Sequence, residues 1–262
     1  MTLALIAALL IAQAAASPAG GAATLEEDRL AGCRQQARTD PATAMVTASR
    51  WLAEAQGPAR SAPQQCLGFA YTSLLRWDAA ESAFLAAREA LLPNEHAPRA
   101  RLAAMAGNAA LAGGRNEAAL AAFDLAQADA GAAGDASLAG TLQADRARAL
   151  VALDRVGEAA EALANARRDA PQDPSVWLLS ATLSRRQGAL EQALGQIRTA
   201  AALAPDDPAI GLEAGLIAAL SGQDEAAQTS WQAVLAASPR SPEAALARDY
   251  LAQLGAPTEV GR

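Results

Sequence analysis

A proline-bounded motif returns along the chain at a fixed interval. It reads DAPQDP at residues 169–174, LAPDDP at 203–208 and ASPRSP at 237–242, so successive copies are 34 residues apart. In LAPDDP, Pro205 lacks an amide hydrogen and ends a helix. Asp207 can accept bonds from the free amides of the next helix, and Pro208 suits its first position. The motif therefore predicts that one helix ends and another begins at every repeat.

Each interval between these motifs divides once more. Gly188 and Gly222 lie near the middle of two successive intervals, and the stretches beside them carry apolar residues at a spacing of about 3.6. Alanine, the best helix former, supplies most of the 52% hydrophobic residues, whereas aromatic residues make up only 3%. Two helices for every repeat, stacked in sequence, predict an all-α helical solenoid.

The units resemble tetratricopeptide repeats, in which small residues on a first helix face alanines and a bulky residue on a second. The unit that starts at Ser61 carries Leu67, Gly68, Tyr71, Ala80, Phe84, Ala87 and Pro93. The later units carry Gly107, Ala119 and Phe123; Ala147, Ala159 and Leu163; Trp177, Ala193 and Ala200; and Gly215, Ala227 and Trp231. A weaker first unit carries Gly32, Ala44 and Pro58. The resemblance implies a right-handed superhelix of about six helix pairs over residues 25–254, with a capping helix from Pro242 to Leu254.

Two intervals exceed the 34-residue repeat. The unit that starts at Ala100 follows the one at Ser61 after 39 residues, and the unit at Gly140 follows after a further 40. The extra residues include PNEHAP and ADAGAAGDAS, which we interpret as longer loops or helix ends without a domain break. His96 lies in the first of these stretches, where we expect an exposed loop histidine.

The two termini differ in composition from the repeats. Residues 1–16, MTLALIAALLIAQAAA, are apolar but shorter than the roughly 20 residues that span a bilayer. They predict a signal peptide that is removed after Ala14 or Ala16, followed by a short linker at 17–24. An uncleaved anchor is the alternative, because no basic residue precedes the apolar run. We expect a periplasmic or otherwise exported protein with no membrane insertion after cleavage, and a flexible tail at 255–262.

The chemical inventory excludes several classes of function. The net charge of −7 opposes binding to phosphate backbones, so nucleic acid is not an expected partner. All 21 basic residues are arginine, which excludes a phosphate-binding loop lysine and Schiff-base chemistry. His96 is the only histidine, so a histidine-rich metal site is impossible. We expect no metal, no cofactor and no catalytic residue.

The two cysteines lie on the first helices of consecutive units. Cys33 and Cys66 are 33 residues apart, almost one repeat, and an exported chain meets an oxidising compartment. We predict a disulfide between them. Two reduced buried thiols and a redox-active pair are the alternatives.

In the tetratricopeptide-repeat family the first helices line a concave groove that binds proteins or peptides. The residues that we expect to face this groove are Phe69, Arg101, Asn108, Arg148, Thr182, Arg185, Leu212 and Leu216. Arginine forks bind carboxylates, so we hypothesise that Arg148 and Arg185 anchor an acidic segment of an extended peptide beside the apolar Leu212 and Leu216. The competing interpretation is that these arginines pair with nearby acids such as Asp145.

The resemblance implies a non-enzymatic scaffold that binds a protein or an extended peptide in the cell envelope. A redox protein or other enzyme that uses the Cys33 and Cys66 pair is one alternative. A self-associating structural element is another. Some relatives hold acidic chain ends with a carboxylate clamp, but this chain lacks the lysines of that clamp and has Ala104 at one clamp position.

Overall fold

The computed structural model describes residues 25–255, which contain thirteen α-helices and one short 3₁₀ turn and no strand. The helices are α1 (Leu25–Thr39), α2 (Pro41–Glu54), α3 (Ser61–Ser73), α4 (Trp77–Ala90), α5 (His96–Ala112), α6 (Asn116–Ala133), α7 (Ala136–Ala152), α8 (Val156–Asp169), α9 (Pro174–Arg186), α10 (Leu190–Leu203), α11 (Pro208–Leu220), α12 (Asp224–Ala237) and α13 (Pro242–Leu254). The 3₁₀ turn, Gly57–Arg60, precedes α3.

The helices follow one another as antiparallel pairs. Six pairs run from α1/α2 to α11/α12, and α13 packs on the last pair. Each pair contacts the next, so the core is a chain of linked apolar clusters. The expected all-α solenoid of six pairs with a capping helix is confirmed. Its right-handed superhelical sense remains a prediction.

The proline-bounded motifs act as helix caps. Asp173 accepts a hydrogen bond from the backbone amide of Ser175 at 2.9 Å, and Asp207 accepts one from Ala209 at 2.8 Å. Ser241 does the same for Ala244 at 3.0 Å. Each cap satisfies an amide that has no partner inside its helix, which explains why the repeated motif starts a new helix.

A small residue on the first helix meets a large one on the second. A Cβ atom at Gly107 would lie 2.7 Å from the ring of Phe123, and one at Gly68 would lie 2.6 Å from a ring carbon of Phe84. Gly215 contacts Trp231 in the same way. These glycines allow close approach of the two helices, and the aromatic ring fills the space where a Cβ would stand.

The first unit departs from this arrangement. A Cβ at Gly32 would meet nothing within 4 Å, so Gly32 does not occupy the close-contact position that the repeat pattern assigned to it. The buried residues of α1 are Cys33 and Ala37. The register assigned to the first helix of this unit was therefore wrong, whereas Ala44 on the second helix is fully buried as the pattern requires. The first helix packs through a disulfide instead of a glycine–aromatic pair.

The extra residues in the two long intervals extend helices. The helices α5, α6 and α7 contain 17, 18 and 17 residues, whereas the helices of the last two pairs contain 13 or 14. The expectation for His96 was wrong, because it is the first residue of α5 and is half-buried. Its Nδ1 atom is buried and has no hydrogen-bond partner within residues 25–255.

Some sequence predictions fall on other parts of the chain. The signal peptide, the linker and the tail beyond Gly255 lie outside the described residues. Among residues 25–255, no helix has both the length and the apolar character to cross a bilayer. The same part of the chain contains no cluster of three or more histidine, cysteine and acidic side chains arranged to hold a metal ion.

Candidate binding face

One face of the solenoid is formed by the first helix of each pair, α1, α3, α5, α7, α9 and α11, and we call it the first-helix face. It carries two hollows. The first, the N-terminal basin, lies between α1, α3 and α5 and contains Arg34, Arg38, Phe69, Arg101 and Met105. The second, the central pocket, lies between α7 and α9 with one residue of α8 at its base.

The central pocket combines an apolar interior with basic side chains at its rim. Its volume is about 190 Å³. The apolar lining includes Val151, Leu163, Leu179 and Leu183. The polar residues around it are Arg148, Thr182 and Arg186. This volume is below the roughly 300–1,000 Å³ of sites for small organic ligands, so the pocket suits one or two side chains of a partner.

Arg148 is held from one side only. Its Nη1 donates to Oδ1 of Asn108 at 3.0 Å and to Oδ1 of Asp145 at 3.4 Å. Asn108 in turn donates from Nδ2 to Oδ2 of Asp145 at 3.5 Å. Within residues 25–255 the Nε and Nη2 atoms of Arg148 make no hydrogen bond, and 46% of its side chain is exposed. Arg148 is therefore positioned by two neighbours, while its Nε and Nη2 atoms keep no partner among the described residues.

Asp145 is largely withdrawn from water beside Arg148. Burial raises the pKa of the Asp145 carboxyl above its usual value, against the opposing effects of Arg148 and Asn108. The competing interpretation of the sequence, that the basic groove residues meet nearby acids, thus describes one contact of Arg148. It leaves the rest of the guanidinium available.

Arg185 is committed to a contact inside the protein. Its Nε and Nη2 atoms donate to the two carboxylate oxygens of Glu213 at 2.6 and 3.2 Å, and Glu213 is only 7% exposed. This ion pair joins α9 to α11. Arg185 is therefore not free to anchor a partner, contrary to the role that the sequence suggested for it.

The neighbouring Arg186, which the sequence analysis missed, is the basic residue of α9 that reaches the central pocket. It is exposed and makes no hydrogen bond or ion pair with any described residue. The sequence does contain a signal that Arg186 shares the face of α9 that reaches the pocket. Thr182 and Arg186 are four residues apart and share one face of α9, whereas Arg185 turns toward α11.

The N-terminal basin brings together Phe69 and Arg101 with residues that the sequence analysis did not select. Its two connected parts measure about 610 and 340 Å³ and share Arg34 and Met105. The guanidinium carbon of Arg34 lies 5.6 Å from the ring centre of Phe69. Arg34 and Arg38 were missed because the register assigned to α1 was wrong.

Leu212 and Leu216 lie apart from both hollows. They are half-buried and pack on the apolar cluster of α11, α12 and α13 that includes Trp231. Neither residue lines the central pocket or the N-terminal basin. Of the eight predicted groove residues, the structure brings Arg148 and Thr182 to the central pocket, with Asn108 supporting Arg148, and brings Phe69 and Arg101 to the basin.

The two cysteines are joined. Cys33 on α1 and Cys66 on α3 form a disulfide whose Cα atoms are 5.9 Å apart. Cys33 is 6% exposed and Cys66 is 0% exposed, and they pack with Ala44, Ala48 and Trp51. The bond therefore links the first two units within the core.

The sequence matches no protein-family model and no curated protein. Solved structures resemble the chain over most of its length. PilW, a type IV pilus biogenesis factor, shares 18% identity with a TM-score of 0.65 and covers 86% of this chain and 99% of its own. BtubC from P. vanneervenii shares 15% identity with a TM-score of 0.60 and covers 92% of this chain and 96% of its own.

TTC0263, a TPR protein of Thermus thermophilus, shares 20% identity with a TM-score of 0.59 and covers 74% of this chain and 98% of its own. At such identities the likeness concerns the fold, and it agrees with the paired helices and the glycine–aromatic contacts described above. The chain therefore has the fold of the tetratricopeptide-repeat proteins.

Proposed function

We propose that the chain is a non-enzymatic scaffold that binds a protein or an extended peptide through the first-helix face. One observation carries this proposal. Four arginines on that face have no carboxylate partner within residues 25–255, although the whole chain has a net charge of −7. They are Arg34, Arg38, Arg101 and Arg186. The described side chains that line the central pocket include no acid, so its unpaired basic groups give a surface of opposite charge to the rest of the chain. The N-terminal basin is mixed in charge, because Glu26, Glu27 and Glu95 line it beside the arginines.

The chemistry of this face selects the class of partner. Carboxylates match guanidinium forks, and apolar side chains fit the hollows between the helices. An extended peptide presents both kinds of group at regular intervals, and charge complementarity would both steer and orient it. Nucleic acid would meet a chain of net negative charge, so we do not propose it as a partner.

The proposed location is the cell envelope. Two observations support it: the apolar residues 1–16, and the disulfide between Cys33 and Cys66, a bond that persists in oxidising compartments. A redox function for the same cysteines is less well supported. Thiol–disulfide exchange needs access of an attacking thiolate to a sulfur atom, and both cysteines are buried.

Position-dependent cross-linking tests the scaffold proposal. A photoreactive amino acid is placed at Met105 in the N-terminal basin, and in a matched variant at Arg198 on the exposed side of α10. Each protein, without residues 1–16, is irradiated in envelope extract. We expect a discrete cross-linked protein from position 105 and none from position 198.

The control position decides how the result is interpreted. Equal labelling from both positions, or no labelling from position 105, would contradict binding of an envelope protein along the first-helix face as far as the N-terminal basin. A cross-link from position 105 to a second copy of this chain would replace the scaffold by the self-associating structural element.

A further inference from the structure

We infer that the central pocket is an anchor for two adjacent residues of a partner peptide, one aliphatic and one acidic. An aliphatic side chain enters the pocket, and the carboxylate side chain of the adjacent residue binds Arg148 and Arg186 at the rim. This inference rests on the proposed function, because it names the partner chemistry of the same face.

The interior of the pocket selects an aliphatic side chain. Leu163 and Leu183 are 2% and 6% exposed and form its base, while Val151 and Leu179 are half-buried beside them. An aliphatic group that enters this space removes its own surface and that of these walls from water. A polar or charged group would lose its hydration there without gaining a hydrogen-bond partner from those walls.

The rim selects a carboxylate. Arg186 has no partner among the described residues, and Nε and Nη2 of Arg148 are free. None of the described side chains that line the central pocket is acidic. The nearby Asp145 is already engaged by Asn108 and by Nη1 of Arg148, so it does not neutralise the outer part of the rim.

The first-helix face continues on both sides of the central pocket. This indicates that the bound carboxylate is a side chain within the peptide and not the carboxylate at the end of the peptide chain. The N-terminal basin, with further arginines, extends the face on one side of the central pocket, and the half-buried Leu212 and Leu216 extend it on the other. A segment that crosses the pocket therefore has protein surface to contact in both directions. A chain end at the pocket would leave one of these directions empty.

Short synthetic peptides test the inference directly. The probe carries Leu-Glu between flexible Gly and Ser residues and is acetylated and amidated, so that its only carboxylate is a side chain. Two matched probes replace Leu-Glu by Leu-Gln or Ala-Glu. Binding to the full chain without residues 1–16 is measured by fluorescence anisotropy. We expect the Leu-Glu probe to bind about fivefold or more tightly than either matched probe, with a loss of affinity in high salt.

Variants of the protein locate the site of binding. Arg186→Gln should weaken the Leu-Glu probe by about fivefold and leave the Leu-Gln probe unchanged. Thr182→Trp should fill the pocket and abolish binding of both leucine probes. Arg198→Gln removes the same charge from an exposed arginine on α10 and should change nothing. Thermal unfolding by circular dichroism verifies that each variant remains folded.

Several results would overturn the inference. These are equal affinity for the Leu-Glu and Leu-Gln probes, equal losses from Arg186→Gln and Arg198→Gln, and binding restricted to a peptide with a free C-terminal carboxylate. If none of the probes binds while position 105 still cross-links an envelope protein, the scaffold proposal stands and the anchor is wrong. If the Leu-Glu probe binds as expected but position 105 captures nothing, the anchor stands as a peptide site, and the proposal of an envelope partner that extends along the face to the N-terminal basin is wrong.

Discussion

Removal of the Asp129 carboxylate should destabilise the centre of the solenoid far more than removal of an exposed acid nearby. Asp129 lies on α6 and accepts hydrogen bonds from Nε and Nη2 of Arg88 on α4, both at 2.7 Å. Nε of Arg99 on α5 lies 3.5 Å from its other oxygen. The side chains of Arg88, Arg99 and Asp129 are 13%, 17% and 11% exposed, so one carboxylate compensates two nearly buried guanidinium groups.

The size of the destabilisation follows from the two arginine side chains that the substitution leaves without a counter-charge. In Asp129→Ala both arginines lose the one counter-charge that they have among residues 25–255, and breaking a buried ion pair in this way costs about 3–5 kcal/mol. Arg99 keeps its bonds to the carbonyl oxygens of Arg88 and Leu91, at 3.0 and 3.4 Å, which favours the lower part of that range. Asp129→Asn keeps one acceptor oxygen, but it also removes the counter-charge and turns an amide NH2 group towards one of the two arginines, so its cost should remain about 3 kcal/mol.

Urea unfolding monitored by circular dichroism measures the global effect, and hydrogen exchange of α4, α5 and α6 measures the local one. Hydrogen exchange is needed because helix pairs of a solenoid can open separately. The control is Asp124→Ala, which removes a 2.7 Å ion pair to Arg146 from a side chain that is 55% exposed. It should cost less than about 1 kcal/mol. Equal destabilisation by Asp129→Ala and Asp124→Ala would refute the reasoning.

Three further predictions concern single features of the fold. Replacement of Cys33 and Cys66 by serine should lower the free energy of unfolding by about 3.5–4 kcal/mol, as loop closure predicts for a 33-residue separation, and denatured, non-reduced protein from the envelope should contain no free thiol. Leu75→Gly should raise the free energy of unfolding, measured by urea titration, by about 0.5–1 kcal/mol. Leu75 is exposed and has a φ of 57°, a conformation that strains residues with a Cβ. Burial raises the pKa of Asp145 above 3.8, so Asp145 binds its proton more tightly in the folded state than in the unfolded state. The free energy of unfolding should therefore increase as the pH falls through the raised pKa towards 3.8, and this contribution should be lost as the pH rises. Asp145→Asn should lack this component in urea titrations across that pH range, and identical pH profiles for both proteins would contradict it.

Features that depend on nearby residues were predictable from the sequence. Asp173 and Asp207 cap helices because each accepts a bond from an amide two residues away, and proline fixes the first helical position beside it. The contact between Gly107 and Phe123 follows from the repeat pattern, because both residues belong to one helix pair. Local chemistry thus determined where helices begin and which faces meet within a pair.

Features that depend on contacts between pairs were less predictable. The sequence indicates that Arg185 and Arg186 are both basic, but only the position of Glu213 on the next first helix determines which of them is used internally. Gly32 fits the repeat pattern and yet faces open space, because the disulfide of Cys33 sets the packing of α1. Rotation of each first helix by a fraction of a turn decides which side chain reaches the central pocket, and a repeat pattern does not specify it.

The small and large residues that meet within each pair also distinguish one pair from another. Gly68, Gly107 and Gly215 meet aromatic rings, whereas the pairs with alanine at this position carry Leu163 or Ile197 on the second helix. A second helix with an aromatic ring would clash with a first helix that has alanine, and one with leucine would leave a void against glycine. The volumes at these two positions therefore divide the pairs into two kinds, which limits mispairing between a helix of one kind and a helix of the other as the repeats fold.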